Sequence, residues 1–472
     1  MDTIKFGTDG WRGIIARDFT FQNLRRCASG IGDYLINSNQ APKGIIVGYD
    51  TRFSSEDFAA EAALVLASKE IPVYLCDQAA PTPVISSNIN TIGAAGAIII
   101  TASHNPSNWN GLKFRPSYAG SASSEIILKV EQFINETRYP KNLPTFEEAW
   151  NKNFITEIDP STSYILNLPL IVDIESIIES DMHILVDNMH GAGSGYFSHL
   201  LSSISGSIQE IRSERNPTFP GMIQPEPIEK NLQLLCSLII KNHSSIGIAL
   251  DGDSDRLGIV NEQGKFLTTS QVFSLLCLYQ LEILGLRGPL IRSITMTTMI
   301  DKLASTYKVP IIETAVGFKH LGPEFLSQDG LAAGEESGGY TFRGSIPERD
   351  GILSGIMFLS LMAKTQKSPA ELTRWLEQLV GPHYYDRWDL NFPSGDRKDL
   401  SRRIEISNPS LLGGIRVLKA NNLDGFKFYL EDGFWGLIRF SGTEPLLRLY
   451  AEGVSPRHTS EILSDLKRIV GI

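Results

Sequence analysis

Short apolar runs that end in polar turns alternate with segments of helical periodicity along most of the chain. The run Gly44–Asp50 predicts a buried strand. The next segment, Ser55–Lys69, repeats apolar residues at helical spacing, and we expect Ser55, which precedes two acidic residues, to be its N-cap. Further strands are predicted at Pro72–Cys76 and Gly93–Thr101, so this part of the chain indicates an α/β sheet.

The same alternation recurs twice, with apolar runs at His183–Asp187, Ser245–Leu250, Pro310–Thr314 and Leu331–Gly334. It predicts three similar α/β domains with mixed sheets, and because no sequence identity links them, their structural repetition is a hypothesis. After them the chain changes to short strand candidates and an amphipathic helix at Ser460–Val470, which indicates a smaller C-terminal α+β domain. We place the four domains at residues 1–155, 156–263, 264–380 and 381–472.

The composition is that of a soluble globular protein: 472 residues, 42% of them hydrophobic and 20% charged. The net charge of −10, with no long basic run, argues against binding to nucleic acid or to an anionic membrane. The four cysteines are far apart and lack zinc-site spacing, so we expect a reducing, cytoplasmic location. The N-terminus lacks a signal-peptide pattern, and no apolar stretch reaches the roughly 18 residues of a membrane helix.

The most distinctive turn follows the apolar run Ala97–Ile100 and reads Thr-Ala-Ser-His-Asn-Pro, which places Ser103 at the end of a buried strand. A serine hydroxyl is a weak nucleophile that needs activation or a charge-stabilised product. His104 beside it is a candidate general acid or base, although the same side chain could equally orient the turn. Lys113 is a better candidate for proton transfer, since burial and nearby cations can lower the pKa of a lysine.

Three carboxylates stand at alternate positions directly after another apolar strand: Asp251, Asp253 and Asp255. Charges this close repel one another unless a cation joins them, and hard oxygen ligands suit Mg²⁺. A calcium EF-hand loop would also use these carboxylates and Glu262, but Arg256 stands where that loop needs glycine, and the flank is a strand. A solvated acidic turn or an Asp-x-Asp phosphoryl acceptor would also fit the pattern, but Ser103 is the better nucleophile.

Two further loops carry side chains that suit a phosphorylated sugar. The Gly-rich segment 334–339 offers Glu335 and Ser337 to vicinal hydroxyls, although a flexible surface turn would have the same composition. The segment 439–445 combines an arginine, two hydroxyls and a glycine, with Arg448 just beyond it, and predicts a phosphate clamp in a turn between two strands. Near the N-terminus, Arg12 lies in a Gly-rich bend and by itself is compatible with a surface arginine.

These motifs, in this order and over essentially the whole chain, resemble the α-D-phosphohexomutase superfamily, the phosphoglucomutase and phosphomannomutase group. The resemblance implies four domains around a central cleft, with Ser103 as the carrier of a phosphoryl group. It implies a Mg²⁺ site formed by Ser103, Asp251, Asp253 and Asp255. The candidate catalytic residues are then Ser103, Lys113, His104, Arg12 and Arg256. The candidate substrate-binding residues are Lys319, Glu335, Ser337, Arg439, Ser441, Gly442, Thr443 and Arg448.

In the cycle that this resemblance implies, phosphoserine gives its phosphoryl group to the free hydroxyl of a hexose phosphate and recovers the other phosphate from the bisphosphate. We therefore expect the chain to interconvert glucose 1-phosphate and glucose 6-phosphate, with mannose phosphates also accepted. The partner would be a phosphosugar, the activator hexose 1,6-bisphosphate, and the protein a monomer or homodimer. The loop Gly-Glu-Glu-Ser-Gly-Gly differs from the loops of strict glucose enzymes and of phosphoglucosamine mutases. A phosphoglucosamine mutase and a non-catalytic sugar-phosphate-binding homologue are the competing hypotheses.

Overall fold

The computed structural model describes residues 4–7, 9–136, 142–391, 397–441 and 446–471, and within these ranges the strands form four separate sheets. The first three sheets are mixed and are covered by helices, whereas the fourth is antiparallel. This arrangement confirms the predicted fold of three α/β units followed by a smaller α+β unit.

The elements of each unit follow in chain order. The first unit contains β1 (Trp11–Ile14), α1 (Phe21–Asn37), β2 (Ile45–Tyr49), α2 (Ser55–Ala67), β3 (Val73–Cys76), α3 (Thr82–Ile92), β4 (Gly96–Ile100), β5 (Trp109–Pro116), α4 (Ser124–Glu136), α5 (Phe146–Asn151) and β6 (Ile155–Ile158). The second contains α6 (Ser161–Asn167), α7 (Glu175–Ile178), β7 (His183–Asp187), α8 (Tyr196–Leu200), β8 (Ser207–Ile211), α9 (Gln233–Asn242), β9 (Ile246–Leu250), β10 (Leu257–Asn261) and β11 (Phe266–Leu267).

The third unit contains α10 (Thr269–Leu278), β12 (Leu290–Ser293), α11 (Met299–Tyr307), β13 (Ile311–Thr314), α12 (Phe318–Ser327), β14 (Ala332–Gly334), β15 (Tyr340–Phe342), α13 (Gly351–Thr365) and α14 (Pro369–Val380). The fourth contains β16 (Tyr384–Asn391), α15 (Arg397–Ser407), β17 (Leu411–Leu412), β18 (Ile415–Asn421), β19 (Phe426–Leu430), β20 (Trp435–Phe440), β21 (Leu446–Gly453) and α16 (Pro456–Val470).

The first three sheets share one strand arrangement. In each, three parallel strands are followed by a fourth that pairs antiparallel with the third, and their order across the sheet is fourth, third, first, second. The corresponding sets are β2–β5, β7–β10 and β12–β15. The repeated arrangement confirms the structural repetition that the sequence pattern suggested.

In every one of these units, the turn between the third and fourth strands carries a candidate site motif. Ser103 follows β4, Asp251 follows β9 and Glu335 follows β14. Strands β4 and β9 are buried along their whole length, which explains why their sequences are continuous apolar runs. Because ligands bind at the carboxyl ends of parallel strands, equivalent turns of three units can contribute to one site.

One predicted helix cap is wrong. Helix α2 begins at Ser55, and its N-cap is Ser54, which adopts a left-handed conformation and makes no side-chain capping bond. The buried Oγ of Ser55 instead donates to Asp50 Oδ1 at 2.9 Å. The hydroxyl of Ser55 therefore stabilises the turn that follows β2 and does not cap the helix. At the other end of the chain, α16 begins at Pro456, earlier than the predicted Ser460.

The fourth sheet packs on two sides. One face is covered by α16, and the other packs Trp435, Leu437 and Tyr450 against Ile294 of the third unit. At this interface the buried carboxylate of Glu452 accepts hydrogen bonds from two threonines of the third unit and from the indole of Trp435. No helix within the described ranges is long and apolar enough to span a membrane.

Candidate active site

Ser103 lies in the turn between β4 and β5, where it is 1% exposed and has a left-handed φ of 53°. Its amide donates to Thr101 Oγ1 at 2.8 Å, and its Oγ donates to Asp251 Oδ2 at 3.0 Å. A left-handed conformation costs a serine about 1–3 kcal/mol, and strain of this kind is concentrated at functional sites. The fold therefore presents this hydroxyl, from the first unit, to the acidic loop of the second.

Arg52 supports the serine turn, and the sequence pattern did not identify it. Its side chain is fully buried, and its Nε lies 3.3 Å from Asp50 Oδ2. The terminal nitrogens Nη1 and Nη2 donate to four backbone carbonyl oxygens at 2.5–3.1 Å: those of Ser103, Asn105, Pro106 and Trp109. A planar guanidinium has enough donors for all of these acceptors, so one side chain fixes the whole turn.

The three aspartates of the second unit are fully buried, and one carboxylate oxygen from each lies within 4.8 Å of the others: Asp251, Asp253 and Asp255. In the part of the chain that the structure describes, Asp253 Oδ1 and Asp255 Oδ1 receive no hydrogen bond. Buried carboxylate oxygens without donors are costly unless a cation meets them. Oxygen-only ligands at this spacing fit Mg²⁺, and the flanking strands β9 and β10 disagree with the helices of an EF-hand.

Lys113 joins this acidic loop to the other units. Its Nζ, on β5, lies 2.7 Å from Asp253 Oδ2 and 2.9 Å from Asp255 Oδ2. Asp9 of the first unit lies 2.9 Å from the same nitrogen. Arg349 of the third unit pairs with Asp9 and lies 2.9 Å from Asp255 Oδ2. Three units thus share one buried network of alternating charges.

This network shifts the pKa values of its members. Burial alone would lower the pKa of Lys113, but its three carboxylate neighbours outweigh burial and hold that pKa above its ordinary value. Burial would raise the pKa of Asp253, but Lys113 holds it below the ordinary range. For Asp251, burial and then the repulsion of the two other aspartates raise the pKa well above the usual range. Lys113 is therefore a cation at neutral pH that suits stabilisation of negative charge. The predicted lowering of its pKa is wrong, because carboxylates rather than cations are its immediate neighbours.

Two arginines, Arg12 and Arg256, lie beside the serine turn. Arg12 Nη1 donates to Asn105 Oδ1 at 2.6 Å. The amide of Arg256 donates to Asp251 Oδ1 at 3.1 Å, and its side chain lies 3.9 Å from the same aspartate. Two cations so close to the turn that carries Ser103 suit an oxyanion such as phosphate.

His104 stands next to the nucleophile candidate, with Nδ1 3.4 Å from Ser103 Oγ. Burial, followed by the nearby cations Arg256 and Arg12, lowers the pKa of this imidazole well below its usual value. The ring is therefore uncharged at neutral pH, which suits a hydrogen-bonding role near a phosphate better than a permanent positive charge.

The loop after β14 lies where the third unit meets the site. Glu335 is 3% exposed, and its Oε1 accepts from the amide of Gly317 at 2.6 Å. Burial raises the pKa of Glu335 to about 7, against the opposing effect of Arg349. Ser337 is half-buried in the same loop. Lys319, in the first turn of α12, lines a cavity that it shares with the first unit.

The predicted phosphate clamp lies at the junction of β20 and β21. Arg439 and Arg448 face each other in register on these strands, and Arg439 Nε donates to Asp424 Oδ2 at 2.9 Å. Ser441 is buried, and its amide donates to the carbonyl oxygen of Leu446 at 2.9 Å. The other two predicted clamp residues lie outside the described residues: Gly442 and Thr443.

Sequence reasoning missed four side chains that organise the site. Asp9 lies in the Gly-rich bend that drew attention to Arg12, and Arg52 follows a strand-ended polar turn of the same kind as the serine turn. Both could have been found by that signal. Arg349 and Asp424 carry no comparable sequence signal, because their partners come from other units or from distant strands.

Sequence profiles of one family match the chain in four consecutive segments. Phosphoglucomutase/phosphomannomutase α/β/α domains I, II and III match residues 3–141, 162–264 and 269–379. The C-terminal domain of the same family matches residues 403–469.

Individual proteins resemble the chain over nearly its full length. A phosphoglucomutase/phosphomannomutase of Thermococcus kodakarensis is 30% identical, covering 97% of this chain and 96% of its own. A phosphoglucosamine/phosphogalactosamine mutase of Sulfurisphaera tokodaii is 27% identical, covering 98% of both chains. The crystal structure of a Thermus thermophilus protein, provisionally assigned as a phosphomannomutase, has a TM-score of 0.86 at 32% identity and covers 99% of both chains.

Proposed function

The chain belongs to the phosphoglucomutase/phosphomannomutase family, and from this premise we propose that it interconverts glucose 1-phosphate and glucose 6-phosphate and also accepts mannose phosphates. As a member of that family it is an enzyme, an intramolecular phosphotransferase. The observation that carries the proposal is the contact between the buried Oγ of Ser103 and Asp251, in an acidic loop whose Asp253 pairs with the cation Lys113. A reactive hydroxyl in this setting is suited to carry a phosphoryl group.

In the proposed first half-reaction, the phosphoryl group leaves Ser103 for the free hydroxyl of a hexose monophosphate. The bond between phosphorus and Ser103 Oγ breaks, a bond to the sugar oxygen forms, and the proton of the sugar hydroxyl ends on Oγ. In the second half-reaction, the bisphosphate presents its other phosphate and the same bonds exchange in the opposite sense. Asp251 Oδ2, at 3.0 Å, accepts the hydrogen of the free serine between the two steps.

The remaining residues position the substrate and neutralise its negative charge. Lys113 balances negative charge near the transferred group, since its pKa lies above the ordinary lysine value. Arg12 and Arg256 border the serine turn and would contact phosphoryl oxygens, while His104 would donate or accept a hydrogen bond there. When bound at the three aspartates, Mg²⁺ would supply further positive charge to the phosphoryl oxygens.

The distal half of the site would hold the rest of the substrate. Glu335 and Ser337 would contact sugar hydroxyls, with Lys319 near them on α12. Arg439 and its loop, including Ser441, Gly442, Thr443 and Arg448, would hold the phosphate that does not react. The same contacts must accept both orientations of the bisphosphate. A hydroxyl-binding loop of this kind discriminates weakly at C2, so it could also admit mannose phosphates.

A substrate panel tests this proposal. We expect the highest kcat/KM with glucose 1-phosphate in the presence of Mg²⁺ and glucose 1,6-bisphosphate, and measurable turnover of mannose 1-phosphate. A higher kcat/KM with glucosamine 1-phosphate would identify an amino-sugar mutase instead. Tight binding of hexose phosphates without turnover of any of them would identify a non-catalytic homologue.

The phosphoserine step has its own test. We expect Ser103→Ala to abolish mutase turnover while the Kd for glucose 6-phosphate stays within about threefold of wild type, because the distal contacts are untouched. Ser107→Ala, in the same turn, is the matched control and should retain activity. Substantial turnover by Ser103→Ala would refute the phosphoserine mechanism.

A further inference from the structure

Asp424 occupies an unusual position between the fourth unit and the third. It lies in the turn between β18 and β19, and its Oδ2 accepts two hydrogen bonds, from Arg439 Nε at 2.9 Å and from the amide of Val316 at 3.0 Å. The next residue, Gly425, has a φ of 103°, and a Cβ there would lie 2.5 Å from the carbonyl oxygen of Ile438. The tight turn that glycine permits brings the carboxylate against the clamp arginine.

The next amide, that of Gly317, is held by the Gly-rich segment 334–339, the sugar loop. Gly317 donates its N–H to Glu335 Oε1 at 2.6 Å, and its φ of 115° is one that residues other than glycine rarely adopt. The dipeptide 316–317 is thus bound by two carboxylates, Asp424 from the fourth unit and Glu335 from the third. A short path of hydrogen bonds therefore connects the guanidinium of Arg439 to the carboxylate of Glu335.

The contact through Nε fixes the orientation of the arginine. A guanidinium is planar, so a carboxylate on Nε sets the plane in which the two terminal nitrogens point, and these nitrogens are the ones that grip a phosphate in a fork. The side chains of Arg439 and Asp424 are 11% and 25% exposed, so the pair is shielded more than an ordinary surface ion pair. Ordinary exposed pairs contribute about 0–1 kcal/mol and would not order a binding residue.

We propose that Asp424 is a positioning residue that couples the distal phosphate clamp to the sugar loop. Its carboxylate orients Arg439 for the non-reacting phosphate and fastens that arginine to the segment 316–317, which in turn braces Glu335. Binding of the phosphate and binding of the sugar hydroxyls then stabilise one common arrangement of the third and fourth units. The inference rests on the proposed function for the identity of the ligand, and adds to it how the two halves of the binding site act together.

The test is a double-mutant cycle on substrate binding. We expect Asp424→Ala to raise KM for glucose 1-phosphate about tenfold or more while kcat changes less than threefold, since binding rather than the reacting group is affected. Asp424→Asn keeps an oxygen acceptor for Val316 and should recover part of that loss. In an Arg439→Ala background, Asp424→Ala should raise KM by much less than it does in the wild type, because its main route of action is gone.

The matched control is Glu431→Ala, which removes an exposed carboxylate–arginine pair with Arg416 in the same unit and should leave KM unchanged. Equal effects of Asp424→Ala in both backgrounds, or a lowered melting temperature with unchanged KM, would overturn the coupling. If the wild type turns over no hexose phosphate, the proposed function fails. The same cycle measured on the Kd for inorganic phosphate then tests the coupling by itself: a non-additive change supports it and an additive one refutes it.

Discussion

Arg52→Met removes the side chain that supports the turn of the reactive serine, and it replaces no residue that we expect to contact substrate. Methionine preserves much of the apolar stem and its volume, but removes every guanidinium donor. Four backbone carbonyl oxygens of the serine turn lose their hydrogen bonds, and Asp50 loses its cation. The substitution therefore tests whether a buried arginine, rather than the local sequence of the turn, sets the position of Ser103.

The magnitude follows from these contacts. Each hydrogen bond from a charged donor contributes about 1.5–3 kcal/mol, and removing one member of a buried ion pair costs about 3–5 kcal/mol. These contributions overlap, and the partly buried end of the turn can rehydrate. We therefore expect Arg52→Met to lower the free energy of unfolding by about 4 kcal/mol. Arg52→Lys should lose about half of that, because an ammonium can reach Asp50 but not all four carbonyls. A displacement of the serine by about 1 Å would lower kcat/KM about 100-fold.

The assay combines denaturant unfolding, hydrogen exchange in the peptide 101–111 and mutase turnover. We expect faster exchange in that peptide for Arg52→Met, together with the losses of stability and activity. The control is Arg292→Met, which removes another buried arginine, from β12, and should destabilise the protein without accelerating exchange in 101–111. Exchange equal to wild type in Arg52→Met, with kcat/KM within threefold, would refute the reasoning.

Two further predictions concern the acidic loop and the sugar loop. Asp253→Asn should lower kcat about 100-fold, a larger effect than the one on folding, because Lys113 keeps Asp9 and Asp255 as partners. Wild-type activity should vanish in EDTA and return with Mg²⁺; full activity in EDTA would contradict the metal assignment. Because burial raises the folded-state pKa of Glu335 to about 7, from 4.5, its ionisation destabilises the fold progressively as pH rises through that window, by about 3 kcal/mol in all. The melting temperature of Glu335→Gln should therefore exceed that of wild type by more at pH 8 than at pH 5. A difference in melting temperature that does not depend on pH would exclude this explanation.

The sequence predicted the elements whose environment is uniform. Strands such as β4 and β9 are buried on both faces, so each appears in the sequence as a continuous apolar run. The turns that end these strands carry Ser103 and Asp251. The cap of α2 was missed because Ser55 serves a neighbouring turn, which only the folded contacts could reveal. The domain boundaries and the roles of individual site residues stay predictions, and the substitutions described above test those roles.

The amino-acid sequence by itself determined the fold class, the family resemblance and the types of residue available for the chemistry. These depend on apolar periodicity and on polar turns at strand ends, which are local patterns in the sequence. Only the tertiary structure decided which charges meet. Lys113 touches carboxylates of two units, Arg349 joins a third to them, and Asp424 reaches across from the fourth. These contacts join residues far apart in the sequence, and their energies depend on burial and distance, which follow from the packing of the four units and not from any one segment.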